Sequence, residues 1–175
     1  TIVSAERRSE TCSAESNTVF ILKTMEVYRV SATKYAGDTE GEGARRFGGR
    51  WNLKGIPCIY TSASRSLALL EYSANVSLDI IPRALSIVCF EIPDRNIRKL
   101  SVAELPANWR SGTVPMATKN FGTGILLDGK TFAIKVPSVI IPEEFNYVIN
   151  PLQYDPDGFR IKDVQDFPYD VRIKR

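Results

Sequence analysis

The sequence predicts an α+β fold, a mixed, strand-rich single domain. Strand candidates outnumber helical ones, and the helices do not alternate regularly with them, which argues against a doubly wound sheet. A chain of 175 residues with 43% hydrophobic and 25% charged content suits one globular domain with a sizeable core. No apolar run approaches the ~18 residues of a membrane helix.

Residues 1 to 24 are rich in Ser, Thr and Glu and show little periodicity before Val19-Phe20-Ile21-Leu22. They lack the basic and long apolar regions of a signal peptide and read as an upstream or disordered extension, with Met25 the natural start and 25 to 175 the working domain. Glu26 to Ser31 reads as a first strand. Ala36 to Asn52 is polar and holds Gly37, Gly41, Gly43, Gly48 and Gly49, so it reads as one long loop. Ile56 to Thr61 is a short strand. Ser62 or Ser64 caps a helix running to about Val76. Ala84 to Ile92 is a longer strand closed by Pro93. Pro115 opens a second helix that runs to about Leu127 and ends at Asp128-Gly129, with Gly122 and Gly124 counting against it. Thr131 to Val136 is a strand, and Val139 to Ile141 continues extended beyond Pro137. Tyr147 to Ile149 and Phe159 to Val164 complete the strand candidates.

Histidine is absent. That removes the usual general base, the usual zinc ligand and the Ser-His-Asp arrangement together. Cys12, Cys58 and Cys89 are odd in number and widely spaced, which argues against a structural zinc site and a secreted disulfide framework and fits a reducing cytoplasm. Cys58 and Cys89 lie in apolar runs and read as small buried hydrophobes. A net charge of +3, spread along the chain, gives no argument for direct nucleic-acid binding.

Between Gly48 and Glu71 the chain brings together a cation, an aromatic hydroxyl and a carboxylate. Gly48-Gly49-Arg50-Trp51-Asn52 places a forked donor suited to phosphate oxygens directly after two permissive glycines, although an exposed turn would look the same. It is not a P-loop, lacking the Gly-Lys-Ser/Thr ending. Tyr60 shares a strand face with Ile56 and Cys58, as a core aromatic or a ligand platform. On the following helix Ala63, Leu67, Leu70 and Ala74 form an apolar stripe with Glu71 at its edge. A carboxylate there loses hydration and needs an arginine partner or a purpose. Arg29, between Val27 and Val30, is costly if buried unless it faces a pocket or an acid, and otherwise points to solvent. Ser138 either satisfies backbone or binds a ligand. Asn146 reads most simply as a turn residue, with ligand contact the alternative. The combination points to a nucleotide-sugar substrate.

Tyr28-Arg29-Val30, Gly48-Gly49-Arg50-Trp51-Asn52, Ile59-Tyr60-Thr61, Leu70-Glu71, Val136-Pro137-Ser138 and Asn146-Tyr147-Val148-Ile149-Asn150-Pro151, in this order and spacing, resemble the RES domain over Glu26 to Val164. The resemblance implies a fold similar to ADP-ribosyltransferases and diphtheria toxin. It implies a toxin of a bacterial toxin–antitoxin pair, neutralised by an Xre-type helix-turn-helix antitoxin, and it allows a toxin dimer within that complex. The implied activity is cleavage of the nicotinamide–ribose bond of NAD by water or phosphate, with ADP-ribosyl transfer to a protein as the alternative. NAD is then a consumed substrate, and no cofactor or metal is implied. Carried onto this chain, Arg50, Tyr60 and Glu71 match the catalytic set, and Arg29 and Ser138 match further substrate-binding positions. Asn146 falls in the Asn146–Pro151 motif and joins them as a candidate NAD contact. Gln153 departs from the family pattern, where a histidine is frequent.

Overall fold

The computed structural model describes residues 23–174. The extension assigned to residues 1 to 24 lies outside them except for its last two residues, and Cys12 lies outside them altogether. Seven strands form one sheet: β1 (Thr24–Ala32), β2 (Ile59–Ser62), β3 (Leu85–Pro93), β4 (Ile97–Lys99), β5 (Ala133–Pro137), β6 (Phe145–Ile149) and β7 (Arg160–Phe167). Their spatial order is β4-β5-β6-β2-β1-β3-β7. Only β4 and β5 pair in parallel, so the sheet is mixed and mostly antiparallel. Three α-helices accompany it: α1 (Glu42–Phe47), α2 (Arg65–Asn75) and α3 (Met116–Leu126).

Strand alternation divides the core between the two faces. Val27, Ile59, Val88, Phe90, Ile92, Ala133, Tyr147 and Ile149 pack on one side with Phe132 and Phe159. The Phe159 ring stacks on Phe90, with centroids 6.0 Å apart. On the other side Tyr28, Val30 and Cys89 pack with Ala68 of α2, and Ile134, Val136 and Val148 pack with Trp51, Trp109 and Leu126 of α3. Both long helices therefore lie on the face that carries Cys58 and Tyr60.

Local chemistry sets the ends of these helices. Ser64 Oγ accepts the Leu67 amide at 3.1 Å and starts α2. Pro115 precedes α3, and Asp128 Oδ1 gathers the amides of Lys130 and Thr131 at 2.8 Å just after it. Gly122, which counted against α3, is what lets it dock: a Cβ there would fall 2.2 Å from the Trp51 carbonyl oxygen.

Four expectations require correction. The loop from Ala36 to Asn52 contains α1, held at its start by Asp38 Oδ1, which accepts the Glu40 and Gly41 amides at 3.0 and 2.9 Å. The strand placed at Ile56 to Thr61 is the shorter β2, because Pro57 cannot donate to a ladder. Val139 to Ile141 do not extend β5; Ser138 Oγ accepts the Ile140 and Ile141 amides, each at 3.1 Å, and turns the chain. The apolar stripe of α2 is misplaced, since Ala63 and Ala74 are exposed while Leu67, Ala68 and Ser73 are buried. Contact with β1 brings Ala68 into the seam beside Leu67, and Glu71, next to both on the helix surface, is half-buried. The three-residue β4 had no counterpart in the sequence reading.

Candidate active site

Arg50 is delivered by the loop that follows α1. Gly48 adopts a φ of +71° there, and the loop folds around Asn52, whose side chain is fully buried. Asn52 Nδ2 donates to the carbonyls of Ala44 at 2.9 Å and Ile56 at 2.8 Å. Its Oδ1 accepts the Tyr60 hydroxyl at 2.8 Å. The Tyr60 oxygen in turn accepts the Trp51 amide at 2.9 Å, so the phenol is the peg on which the Arg50 loop hangs. Gly49 lies flat against that ring, where a Cβ would come within 2.4 Å of the Tyr60 oxygen. Burial pushes the Tyr60 pKa well above its ordinary value, which keeps the phenol neutral and able to donate.

The Arg50 guanidinium donates from Nη1 to the Trp109 carbonyl and, at 3.1 Å, to the Ser111 carbonyl. Burial lowers its pKa, and the Glu71 carboxylate and Tyr60 act through space against that shift. Arginine remains charged throughout the working pH range. The three residues of the sequence-level catalytic set thus converge on one place from a loop, a strand and a helix.

Glu71 Oε1 accepts two hydrogen bonds, from Ser138 Oγ at 2.8 Å and from Asn146 Nδ2 at 2.6 Å. Asn146 Oδ1 is fixed by the Ser62 hydroxyl at 2.7 Å. Ser138 is fully buried and is itself positioned by the two amides of its turn. Both Ser138 and Asn146 therefore hold the carboxylate; Ser138 also satisfies two backbone amides, and Asn146 lies within β6 and not in the turn that its sequence context suggests. No ion pair involves Glu71 among the described residues; neutral donors hold it.

Arg29 faces an acid and a hollow, not open solvent. Its Nη1 lies 3.8 Å from Asp38 Oδ2. A cleft of about 70 Å³ is lined by Arg29, Asp38, Ala44, Cys58, Ile59 and Tyr60. Burial lowers the Arg29 pKa while Asp38 opposes it. Arg29 and Tyr60 border this cleft together, and Arg29 makes no hydrogen bond or ion pair to Arg50 or Glu71 among the described residues. Gln153 lies elsewhere, in a surface hollow of about 340 Å³ that contains none of the six candidate residues.

Sequence reasoning missed Asp38, Ser62, Trp109 and Ser111. The last two act through backbone carbonyls, which leave no mark in a sequence. No group of three or more His, Cys, Asp or Glu side chains is placed to hold a metal among the described residues. None of the described helices is long and apolar enough to cross a membrane.

Comparison with known proteins places this geometry in context. Residues 26–172 match the sequence profile of the RES domain. A protein of Sphingobium sp. (strain YBL2) called Prs ADP-ribosylating toxin is 35% identical over 146 residues, covering 82% of this chain and 91% of that protein. Toxin Res of Yersinia enterocolitica (serotype O:8 / biotype 1B) is 35% identical over 153 residues, covering 86% of this chain and 100% of the relative. The crystal structure of the M. tuberculosis MbcT-MbcA toxin-antitoxin complex contains a chain that superimposes with a TM-score of 0.69 at 18% identity, covering 84% of this chain and 86% of that one. That likeness concerns the fold, and it agrees with the strand-rich α+β architecture that the sequence predicts.

Proposed function

This chain belongs to the RES domain family of toxins, and on that premise we propose that it destroys NAD by cleaving the nicotinamide–ribose bond, with water or phosphate as acceptor. The observation that carries this reading is the half-buried Glu71 carboxylate, doubly hydrogen-bonded through Oε1 and standing within electrostatic reach of Arg50.

Breaking the bond develops positive charge on the ribose as nicotinamide departs. A fixed carboxylate stabilises that oxocarbenium-like state, as it does in glycoside cleavage. Because Ser138 and Asn146 already orient Glu71, little reorganisation accompanies the reaction. Arg50, with its Nε and Nη2 edge not engaged by protein acceptors among the described residues, holds the pyrophosphate by charge-assisted hydrogen bonds, with Arg29 as a second cation. Tyr60 keeps the Arg50 loop in place and offers its ring edge to the nicotinamide. The base leaves as a neutral molecule, so no general acid is required and the absence of histidine is no obstacle. Water then yields ADP-ribose and a proton, and phosphate yields the ribosyl 1-phosphate. NAD is consumed as substrate; the chemistry needs neither cofactor nor metal. A cytoplasmic toxin of this kind requires an antitoxin, for which an Xre-type protein is the proposed partner.

A second reading is ADP-ribosyl transfer to a protein, favoured by the name of the Sphingobium relative. Incubating purified protein with NAD, with and without phosphate, and identifying the ribosyl product separates the two. Free ADP-ribose or its phosphate is expected. ADP-ribose found only on a protein acceptor would overturn the first reading in favour of the second. In growing cells, expression of the wild type alone is expected to be toxic, and Glu71→Ala or Arg50→Ala to relieve it while antitoxin binding survives. Equal harmlessness of wild type and Glu71→Ala would count against catalysis.

A further inference from the structure

The segment from Leu105 to Ser111 crosses the site without contributing a charged group to it. Leu105 and Trp109 anchor it in the core beside Trp51, the two indole rings 6.2 Å apart. Two tight turns stiffen it: the Trp109 amide donates to the Pro106 carbonyl and the Ser111 amide to the Asn108 carbonyl, each at 3.0 Å. Its outward carbonyls, on Trp109 and Ser111, both receive Arg50 Nη1. Between them, the Arg110 side chain turns the other way. Its guanidinium lies 5.9 Å from the centre of the Trp109 ring, and Nη2 donates to the Val139 carbonyl at 3.2 Å. Val139 adjoins Ser138, the donor to Glu71.

We propose that this segment is a strap that fixes the plane of the Arg50 guanidinium, and that Arg110 is a positioning residue that pins the strap to the turn carrying Ser138. One nitrogen of Arg50 is committed to two neutral carbonyls, which leaves the Nε and Nη2 edge as a single preset fork for an anion. A lysine at position 50 could not be held this way and still present two donors. Arg110 ties the cationic side of the site to the carboxylate side across the only direct side-chain bond between the strap and the Ser138 turn among the described residues. The inference deepens the NAD-cleavage reading and depends on it for its kinetic arm only.

The test uses the whole chain with ¹⁵N-labelled arginine and the variants Arg110→Ala and Arg110→Lys. Arg110 is exposed, so neither change opens the core. Proton exchange at the Arg50 guanidinium reports the strap without any substrate. It is expected to accelerate severalfold in Arg110→Ala and to stay near wild type in Arg110→Lys, which retains a donor for Val139. In turnover, Arg110→Ala is expected to raise KM for NAD about fivefold with kcat little changed, because a pyrophosphate contact is made equally in ground and transition states. Arg110→Lys is expected to restore KM. Unchanged Arg50 exchange in Arg110→Ala would overturn the proposal, as would equal effects of Ala and Lys accompanied by equal losses of melting temperature. If the wild type released no nicotinamide, the NAD reading would fail, and the exchange measurement would still decide the strap.

Discussion

Asn146 and Glu71 meet side chain to side chain, 75 residues apart in sequence, with Asn146 Nδ2 2.6 Å from Glu71 Oε1. The bond joins β6 to α2 and aims the carboxylate, and Ser138 Oγ shares the same oxygen. Glu71→Gln replaces the charge while keeping the shape, and should abolish nicotinamide release with little loss of stability. Asn146→Ala and Ser138→Ala leave the charge but remove one orienting donor. Each is expected to lower kcat about ten- to a hundredfold, on the scale of about 1.5–3 kcal/mol for a hydrogen bond to a charged group. A double variant near wild-type activity would show that Glu71 needs no orientation.

Gly49 and Tyr60 are matched by contact. Gly49→Ala would drive a methyl to 2.4 Å from the phenol oxygen, against a ring already held by Asn52 and Trp51. The ring has to move, and the Arg50 loop moves with it. We expect a loss of about 1–3 kcal/mol in stability, typical of overpacking, together with a marked loss of turnover. Gly37→Ala is the control, since nothing lies within 4 Å of a Cβ there. Thermal melts of the two variants, side by side, check the prediction; equal melting temperatures would contradict it.

Much of this arrangement was legible because the elements that carry it are long and rich in apolar residues. β1 and β3 are nine-residue runs rich in apolar residues that pair over nine registered positions, and α2 has a capping serine followed by a helical apolar pattern. Arg50, Tyr60 and Glu71 lie close together along this stretch, so their residue types were conspicuous. What escaped notice depends on tertiary partners. α1 is six residues among glycines, and it forms because Asp38 gathers its leading amides. β4 is three residues with two exposed, too short to show a period. Val139-Ile140-Ile141 has strand-like composition, yet the Ser138 hydroxyl bends it. The seam of α2 keeps Leu67 but takes in Ala68, which packs with Tyr28 and Val30 of β1, a tertiary contact that the helical pattern alone does not reveal. The Trp109 and Ser111 carbonyls lie 59 and 61 residues from Arg50, and backbone acceptors have no sequence signature.

Cys58 gives the fold an alkaline limit. Burial pushes its thiol up to about 12 from an ordinary value near 9.0. The folded state thus keeps a proton that the unfolded chain loses first. Its contribution is complete below pH 9 and falls away as pH rises toward 12, by up to about 4 kcal/mol over that window. Denaturant unfolding at pH 8, 9 and 10 should show a declining midpoint. In Cys58→Ala the decline should be shallower, though not absent, since Tyr60 is shifted in the same direction. Parallel declines in the two proteins would rule the thiol out as the cause.

The end of the helix that bears Glu71 is held from outside the sheet. Lys174 Nζ donates to the carbonyls of Ser73, at 2.7 Å, and Val76, and Tyr169 donates its hydroxyl to Ser73 Oγ at 3.0 Å. A cation over the last carbonyls of a helix also opposes the negative end of its dipole. Lys174→Ala removes both effects two residues beyond Glu71 in α2. The expected loss is about 1 kcal/mol of stability, seen as a lower melting temperature. Because Ser138 and Asn146 still hold the carboxylate, KM and kcat should stay within about twofold of wild type. A large fall in kcat with an unchanged melting temperature would mean that the helix end, and not the Ser138–Asn146 pair, sets the position of Glu71.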